Sequence, residues 1–184
     1  MQITSLQKNH IQEIILLSNQ VFGENFLTKS YLLQYINSTN HVGYVLVTNK
    51  NLIGYLLAET LNFKQFTDSI LIEKEWFKEH FKDYNNINLI QQIAINKQYQ
   101  KQGFANQLIK ETTNHLSITC CLAWKKGKVV ALKNTLLKND FNYLRTIDNY
   151  WSKDSLVKKY NCVFCGQPPC NCSAEVYIKK NASI

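Results

Sequence analysis

The chain has 184 residues, 45% of them hydrophobic, so it is long and apolar enough to bury the core of one compact domain. Lysine and arginine exceed aspartate and glutamate by 21 − 13 = +8, and a basic surface suits polyanions, including a cofactor with several phosphates. Arg145 is the only arginine, which disfavours nucleic-acid recognition. No apolar run reaches bilayer length, and Met1–Asn9 lacks the apolar stretch of a signal peptide, so we expect a cytoplasmic protein without a membrane partner.

The spacing of apolar residues predicts strands that alternate with helices. The first half of the chain has a predicted strand over Met1–Leu6, a helix over Asn9–Phe22, a helix from the N-cap Thr28 to Asn37, and a hairpin of strands Val42–Thr48 and Leu52–Thr60 joined by a turn at Asn49–Asn51. A helix capped by Thr67 or Asp68 and ending near Phe81 follows, and then a strand over Ile87–Ile95, a helix over Phe104–His115 and a strand over Leu116–Trp124. The last predicted elements are a helix over Lys128–Asn139, a strand over Phe141–Ile147, a short helix over Trp151–Tyr160 and a strand over Ala174–Lys179. This alternation predicts an α/β or α+β fold around one sheet.

The turn before the helix at Phe104 carries the most informative local pattern. An apolar strand ends near Ile95, a polar turn follows, and the next helix begins at or just after Gly103. A helix start presents backbone N–H groups without intrahelical partners, and a pyrophosphate can accept hydrogen bonds from them. Gly103 lets the backbone approach a ligand closely, and Lys101 adds a positive charge. By spacing alone, the pattern favours an ordinary turn between a strand and a helix over a phosphate site.

This stretch resembles motif A of the GNAT superfamily of N-acetyltransferases. The matching positions are Ala94-Ile95, Tyr99, Gln100, Gly103 and Ala105, and the one mild departure is Lys97, where the motif often has proline. The resemblance implies a GNAT-like mixed central sheet flanked by helices, and an acetyl-CoA-binding domain over residues 1–150. Gly54-Tyr55-Leu56 agrees with it, since such chains often have Gly-Tyr in the second strand of the hairpin.

The same resemblance implies how acetyl-CoA is held. Backbone groups of residues 93–95 would pair with the pantetheine arm, the amides of residues 101–105 would hold the pyrophosphate, and the amide near Ile95 would polarise the thioester carbonyl. The implied cofactor-binding residues are Ile93, Ala94, Ile95, Gln100, Lys101, Gln102, Gly103, Phe104 and Ala105.

The sequence lacks one of the catalytic groups that many GNAT proteins carry. Acetyl transfer to an amine needs a neutral nucleophile and a proton for the leaving thiolate. Many GNAT proteins carry a tyrosine one turn before a Gly-Phe pair, but here Asp140-Phe141 stands at that pair and Leu136 at the tyrosine position. Glu59 and Tyr150 are the remaining candidates, and each is also explained as a structural or surface residue.

The missing tyrosine bears on the acceptor. Without a strong base, an acceptor amine of low pKa is favoured, because freeing a lysine amine at neutral pH costs about 4 kcal/mol, whereas an α-amine is only about one pKa unit from neutrality. The hypothesis is therefore an α-amine acceptor.

Four of the six cysteines crowd into a C-x2-C-G-x3-C-x-C stretch, formed by Cys162, Cys165, Cys170 and Cys172. In a cytoplasmic chain this spacing favours a structural zinc site, with reduced or disulfide-paired cysteines and redox or iron–sulfur use as alternatives. The stretch resembles the tail of a prokaryotic GNAT subgroup, which implies a Cys-rich appendage over residues 151–184 on the same sheet. The separate pair Cys120 and Cys121 lies in a predicted strand and is expected in the core.

These observations predict an N-acetyltransferase that moves an acetyl group from acetyl-CoA to a small-molecule or protein amine. Two other hypotheses stay open. One is a zinc-ribbon adaptor that binds nucleic acid or protein, although the cysteine cluster lacks a run of lysines and aromatic residues. The other is a GNAT-fold protein that binds CoA without catalysis, which the missing tyrosine keeps open.

Overall fold

A computed structural model describes residues 1–48, 51–113 and 118–180 of the chain. Within these ranges, eight strands belong to one sheet: β1 (Gln2–Ser5), β2 (His41–Thr48), β3 (Asn51–Asn62), β4 (Asn86–Ile95), β5 (Ile118–Lys126), β6 (Val129–Val130), β7 (Asn142–Ile147) and β8 (Ser173–Lys180). Seven α-helices lie in the same ranges: α1 (Ile11–Val21), α2 (Lys29–Asn37), α3 (Phe63–Ser69), α4 (Lys74–Phe81), α5 (Phe104–Thr113), α6 (Lys133–Lys138) and α7 (Ser152–Lys158). None of these helices is long and apolar enough to cross a bilayer.

The sheet is mixed, as the resemblance to GNAT proteins implied. Its strand order is β1-β2-β3-β4-β5-β8-β7, with the short β6 added to β5. The neighbours are antiparallel except for β4 and β5, which run parallel. The last strand, β8, therefore inserts between β5 and β7 and pairs with β5 along eight residues. The C-terminal segment thus supplies an interior strand of the sheet.

Alternate residues of the strands face two opposite layers of helices, as the period of two requires. On one face, Leu56 and Cys121 pack with the apolar sides of α5 and α6. On the other face, Tyr55 packs with α1 and α2, and Cys120 packs with α3 and α4. Cys120 and Cys121 are both buried, which confirms their predicted place in the core.

Local signals explain several element starts. The side chain of Thr28 accepts a hydrogen bond from the backbone N–H of Tyr31, so Thr28 is the N-cap of α2, as predicted. The predicted hairpin over β2 and β3 is also present, with antiparallel pairing from His41↔Glu59 to Thr48↔Asn51. The predicted helix at Phe104 begins at that residue.

The single helix predicted to start at Thr67 or Asp68 is wrong. The chain forms two helices there, because the Asn62 side chain accepts from the backbone N–H of Gln65 and the Gln65 side chain accepts from that of Asn62. This reciprocal cap lies five or six residues before the predicted cap at Thr67 or Asp68. Extended backbone at Ile70 then ends α3, and α4 starts after Glu73, which has a φ of 60°.

The helix predicted over Lys128–Asn139 is also wrong in its first half. Gly127 has a φ of 56°, which allows a tight turn, and β6 folds back to pair with the end of β5. Val129, which falls inside the predicted helix, instead lies in β6 and is 63% exposed. The helix itself, α6, spans only Lys133–Lys138 and buries Leu136.

Parts of four predictions fall outside the described residues. They are Asn49 and Lys50 of the predicted hairpin turn, the end of the predicted helix Phe104–His115, the start of the predicted strand Leu116–Trp124, and residues 181–184 of the predicted appendage. The predicted strand and helix are otherwise present as β5 and α5.

Candidate functional site

The central feature is an opening between β4 and β5. The two parallel strands pair only from Asn88↔Thr119 to Ile90↔Cys121. Beyond Ile90, β4 continues to Ile95 and stays paired with β3 on its other side. The residues of β4 from 91 to 95 therefore present a strand edge toward the opening. Such an edge carries backbone donors and acceptors that an extended ligand can pair with.

Two features of β3 and β4 fix this edge. The register between the strands shifts between Leu57 and Ala58, which pair with Gln92 and Ile90, so Gln91 is the extra residue of a bulge in β4. Bulges bend a strand and re-aim its side chains. Gly54 lies so close to β4 that an added Cβ would stand 2.5 Å from Cδ1 of Ile95 and 2.7 Å from the carbonyl oxygen of Ala94. Glycine at position 54 thus allows the close approach of β3.

The turn after β4 leads directly into α5. The side-chain amide of Gln100 donates a 3.0 Å hydrogen bond to the carbonyl oxygen of Ile95, which closes this turn on the strand. Lys101 and Gly103 both have positive φ, at 62° and 86°. The space where a Cβ on Gly103 would lie has no protein atom within 4 Å. The first amides of α5, which lack intrahelical partners, are therefore next to open space where an anion can bind.

A cleft of about 640 Å³ occupies this region. It is bounded by β4, the turn, the start of α5, β5 and α6. Eight of the nine predicted cofactor residues line it: Ile93, Ala94, Ile95, Gln100, Lys101, Gly103, Phe104 and Ala105. The ninth, Gln102, does not line the cleft, and its side-chain amide donates to the carbonyl oxygen of Gln98 at 3.2 Å. We call this space the first cleft.

Three lysines give the first cleft a positive charge. Lys101 was predicted from the turn, whereas Lys126 comes from the end of β5 and Lys138 from the end of α6. The ammonium group of Lys126 also lies 4.1 Å from the centre of the Trp124 ring. Sequence analysis missed Lys126 and Lys138, because no local spacing relates them to a turn more than twenty residues earlier in the chain.

A second cleft of about 470 Å³ adjoins the first. Its walls come from the loop before α2, from β3 at Glu59, from the end of α3 and from the start of α7. The two clefts share six lining residues, namely Phe26, Ile90, Gln91, Gln92, Leu122 and Trp151. They therefore meet at the point where β4 and β5 separate.

Both catalytic candidates line the second cleft. Oε1 of Glu59 accepts hydrogen bonds from the phenols of Tyr31 at 3.0 Å and Tyr35 at 2.7 Å, and Nε2 of His41 lies 3.6 Å away. The carboxylate side chain is 12% exposed, so these contacts hold it in a fixed position at the wall. Burial, with the charge of Glu59 and a hydrogen bond to it, raises the pKa of Tyr31, so this phenol keeps its proton and donates. The contribution of Tyr31 and Tyr35 was not predicted from the sequence.

Tyr150, the other candidate, is 2% exposed and contacts the second cleft at its inner wall. Burial raises the pKa of its phenol, and a backbone hydrogen bond at Leu71 offsets only part of this effect. Leu136, at the position where many GNAT proteins have tyrosine, is fully buried in the core beneath α5. In this chain, the phenol of Tyr150 is therefore present at the second cleft, while no hydroxyl occurs at position 136.

The four clustered cysteines are brought together by a short turn. Cys162 and Gly166 exchange backbone hydrogen bonds of 2.9 and 2.8 Å, and Gly166 has a φ of 80°. The backbone N–H groups of Phe164 and Cys165 both donate to Sγ of Cys162 at 3.4 Å. These two bonds fix the position of the Cys162 sulfur within the turn.

The geometry of the cluster fits a tetrahedral metal. The four Sγ atoms of Cys162, Cys165, Cys170 and Cys172 lie within 4.8 Å of one another, with individual separations of 3.5 to 3.9 Å. A zinc ion with four sulfurs at about 2.3 Å has sulfur–sulfur separations of about 3.8 Å. Three of the four residues are buried, and the ring of aromatic residues Phe26, Trp124, Trp151 and Tyr160 surrounds them.

The thiols of the cluster differ in acidity. Burial opposes ionisation of Cys165, but hydrogen bonds from the Asn171 backbone and the other three thiols outweigh it and lower its pKa. Burial raises the pKa of Cys170 to about 12 and also raises that of Cys172. Thiols packed this closely cannot all ionise without a compensating cation, which is the charge a divalent metal supplies.

Comparison with known proteins relates the chain to others by fold. No protein-family model matches the sequence, and no curated protein matches it. Among solved structures, NAA60 of Arabidopsis thaliana in complex with acetyl-CoA is similar over 99% of each chain, at 12% identity and a TM-score of 0.68. The ribosomal-protein-S18-alanine N-acetyltransferase of Escherichia coli is similar over 100% of this chain and 95% of its own, at 11% identity and a TM-score of 0.64.

A third solved structure carries the superfamily name. The acetyltransferase of the GNAT family from Streptococcus pneumoniae is similar over 98% of this chain and 99% of its own, at 12% identity and a TM-score of 0.62. These likenesses extend over nearly the whole of each chain, so the chain has the GNAT fold.

Proposed function

From the GNAT fold and the geometry of the first cleft, we propose that the chain is an N-acetyltransferase that uses acetyl-CoA. One observation carries the proposal: the opening between β4 and β5 lies beside the free amides at the start of α5. An extended arm with a diphosphate at one end matches this combination, because the strand edge pairs with amides and the helix start binds anions.

Acetyl-CoA would lie in the first cleft with its pantetheine arm along residues 93–95. The amides of residues 101–105 would hold the pyrophosphate, and Lys126 and Lys138 add positive charge to the same cleft. These lysines support the proposal because three cationic side chains otherwise repel one another when they converge on one space. An anionic ligand removes that cost.

The acceptor amine would enter through the second cleft and meet the thioester where the clefts join. Its nitrogen attacks the carbonyl carbon of the acetyl group, the C–N bond forms, and the C–S bond to CoA breaks. The amide N–H groups of β4 near Ile95 would stabilise the negative charge that develops on the carbonyl oxygen. An acceptor that arrives as an ammonium ion releases one proton to a base and passes another to the thiolate, so the products are the acetamide, CoA thiol and one proton.

Glu59 is the residue that we propose as the base, because its carboxylate is held at the wall of the second cleft by Tyr31 and Tyr35. Tyr150 is better suited to donate a hydrogen bond than to give up a proton. Its raised pKa lies above that of a thiol, so full proton transfer to a thiolate is unfavourable. The thiolate would therefore receive its proton from the nitrogen that has just attacked.

The cysteine cluster would hold one structural zinc ion. Four thiolates complete a tetrahedral shell and leave no position for a substrate, so the ion would stabilise the fold and take no part in acetyl transfer. We also propose that residues 1–150 form the acetyl-CoA-binding domain, that residues 151–184 form a zinc-bound, Cys-rich appendage that shares the same sheet through β8, and that the protein acts in the cytoplasm.

The buried Leu136 supports one alternative, a protein that binds CoA without catalysis, because that position offers no proton donor. Two measurements distinguish an acetyltransferase from a protein that only binds CoA. Thermal stabilisation by acetyl-CoA tests the first cleft, and release of CoA in the presence of an amine library, with acetylated product detected by mass spectrometry, tests catalysis. Stabilisation without product from any amine would favour the non-catalytic reading. Absence of stabilisation, together with salt-sensitive binding of a short oligonucleotide, would favour the adaptor.

A further inference from the structure

One wall of the second cleft is formed by the start of α7, a helix that the resemblance to motif A does not include. Trp151 is the N-cap residue of this helix and Asp154 lies three residues further on. Both residues line the second cleft, and Trp151 also lines the first. Residues three apart lie on one face of a helix, so their side chains belong to the same wall.

Two polar atoms in this wall have no partner. Nε1 of Trp151 and Oδ2 of Asp154 are buried, and no hydrogen bond reaches either atom from the described residues. The other carboxylate oxygen, Oδ1, pairs with Nζ of Lys158 at 2.9 Å, and the Tyr160 phenol also interacts with this carboxylate. Buried polar atoms are nearly always paired in folded proteins, so this wall is suited to a ligand that supplies one donor and one acceptor.

The charged side chains around this wall favour a ligand with a positive charge. The ionisable acidic and basic side chains that line the second cleft are Glu59, Asp154 and Lys158, which sum to a net charge of −1. Burial is the main cause of the raised pKa of Tyr31 and of Tyr150, and the negative charge of Asp154 adds to the rise in both, so this charge acts across the cleft. Much of the remaining lining is apolar, including Leu27, Ile70 and Leu89. A cation with a modest apolar side chain fits this lining.

We propose that this wall binds the amino terminus of a peptide. The α-ammonium group donates to Oδ2 of Asp154, and the carbonyl oxygen of the first residue accepts from Nε1 of Trp151. Asp154 is then a positioning residue that selects the acceptor, and Glu59 is the other carboxylate of the cleft, to which the ammonium can lose a proton before attack. This inference rests on the proposed function, because it places the acceptor in the second cleft.

The test measures binding separately from turnover. Protein saturated with CoA is titrated calorimetrically with tetrapeptides X-Ala-Ala-Ala that have a free α-amine, with the same peptides N-acetylated, and with putrescine, which has ammonium groups but no carbonyl. The expected result is that at least one free-amine peptide binds, roughly 10- to 100-fold more tightly than its N-acetylated form, as for loss of a charge-assisted hydrogen bond. Putrescine binding as tight as the best peptide, or no peptide binding to protein that binds CoA, would overturn the proposal.

Two variants locate the site. Asp154→Asn removes the negative charge of the side chain. We expect it to lower the affinity for the tightest-binding peptide roughly 10- to 100-fold and to leave CoA binding unchanged. Asp68→Asn is the matched control, because Asp68 forms a similar i,i+4 ion pair with Lys64 at 3.1 Å but lines neither cleft. Peptide affinity in Asp154→Asn equal to that in Asp68→Asn would refute the role of Asp154.

Two further readouts keep the outcomes distinct. If Asp154→Asn also loses CoA binding, Trp151→Phe carries the test, because it keeps an aromatic side chain and removes the indole N–H donor; wild-type peptide affinity in Trp151→Phe would then count against the proposal. Peptide binding that depends on Asp154 but is never followed by acetyl transfer would support the site and reject the proposed enzymatic function.

Discussion

The backbone N–H of Cys170 donates a 2.8 Å hydrogen bond to Oγ of Ser155, and both residues are buried. This bond ties α7 to the cysteine cluster. On the other side of the cluster, the backbone N–H of Val163 donates to the carbonyl oxygen of Phe22, just after α1. Because Phe22 lines the first cleft and α7 lines the second, the cluster connects the walls of both.

This connection predicts that metal loss affects both stability and the clefts. Cys165→Ala should bind less than one equivalent of zinc and lower Tm by at least about 6 °C, which corresponds to about 2 kcal/mol for a chain of this size. The affinities of Cys165→Ala for peptide and for acetyl-CoA should also be lower than those of the wild type. Cys120→Ala is the control, since Cys120 is a buried cysteine that lies outside the cluster and lines neither cleft. Elemental analysis of both proteins checks the prediction, and a full equivalent of zinc in Cys165→Ala would contradict it.

The open space at Gly103 predicts that a methyl group there blocks the cofactor more than it harms the fold. Gly103→Ala places a Cβ where no protein atom lies within 4 Å, at a positive φ that costs about 1–2 kcal/mol. The thermal stabilisation by acetyl-CoA should fall sharply.

Gly127→Ala provides the comparison for Gly103→Ala, because Gly127 also has positive φ, its nearest atom to an added Cβ is 3.8 Å away, and it does not line the first cleft. It should lose similar stability yet keep the response to acetyl-CoA. Equal responses in the two variants would show that the pyrophosphate does not bind at Gly103.

The contacts of Glu59 predict a specific loss of catalysis in Glu59→Gln. The amide keeps an oxygen that Tyr31 and Tyr35 can donate to, so the fold and acetyl-CoA binding should persist, whereas kcat should fall roughly 10²- to 10⁴-fold through loss of the base. Glu13→Gln is the matched variant, since the Glu13 carboxylate also accepts a hydrogen bond, at 3.0 Å from the Leu52 backbone, but lies outside both clefts. Steady-state rates with an acceptor peptide test this prediction. A kcat of Glu59→Gln within about 3-fold of that of Glu13→Gln would show that Glu59 is not the base.

Buried thiols predict that stability declines at alkaline pH. Burial raises the pKa of Cys121 from 9.0 to about 12, and the residue is 2% exposed. The folded state therefore holds this proton more tightly than the unfolded state, so its contribution is complete below about pH 9 and is lost as the pH rises toward 12. At about 1.4 kcal/mol per pKa unit, the loss by pH 12 is on the order of 4 kcal/mol.

Urea unfolding at pH 8.0, 9.5 and 10.5 checks this dependence. Cys121→Ala should lose less stability between pH 8.0 and 10.5 than the wild type, whatever its stability at pH 8.0. Parallel pH profiles for the two proteins would show that Cys121 does not titrate in this range.

The sequence predicted the sheet and the turn at Gly103 because these depend on short-range patterns. Apolar runs rich in β-branched and aromatic residues specify β2 to β5, and the Thr28 cap specifies the start of α2. The predictions for α3 and β6 were wrong because local signals override apolar periodicity there. These signals are the reciprocal cap at Asn62 and the turn at Gly127.

What the sequence by itself determined is the strand, turn and helix over residues 93–105 and the spacing of the four cysteines, since neighbours in the chain fix both. Only the tertiary structure decided that pairing between β4 and β5 stops at Ile90, that Glu59 and Tyr150 share one cleft, and that Asp154 faces the same space. These relationships join residues up to about 95 positions apart, and such contacts arise only when β8 inserts beside β5 and the helices pack on both faces of the sheet.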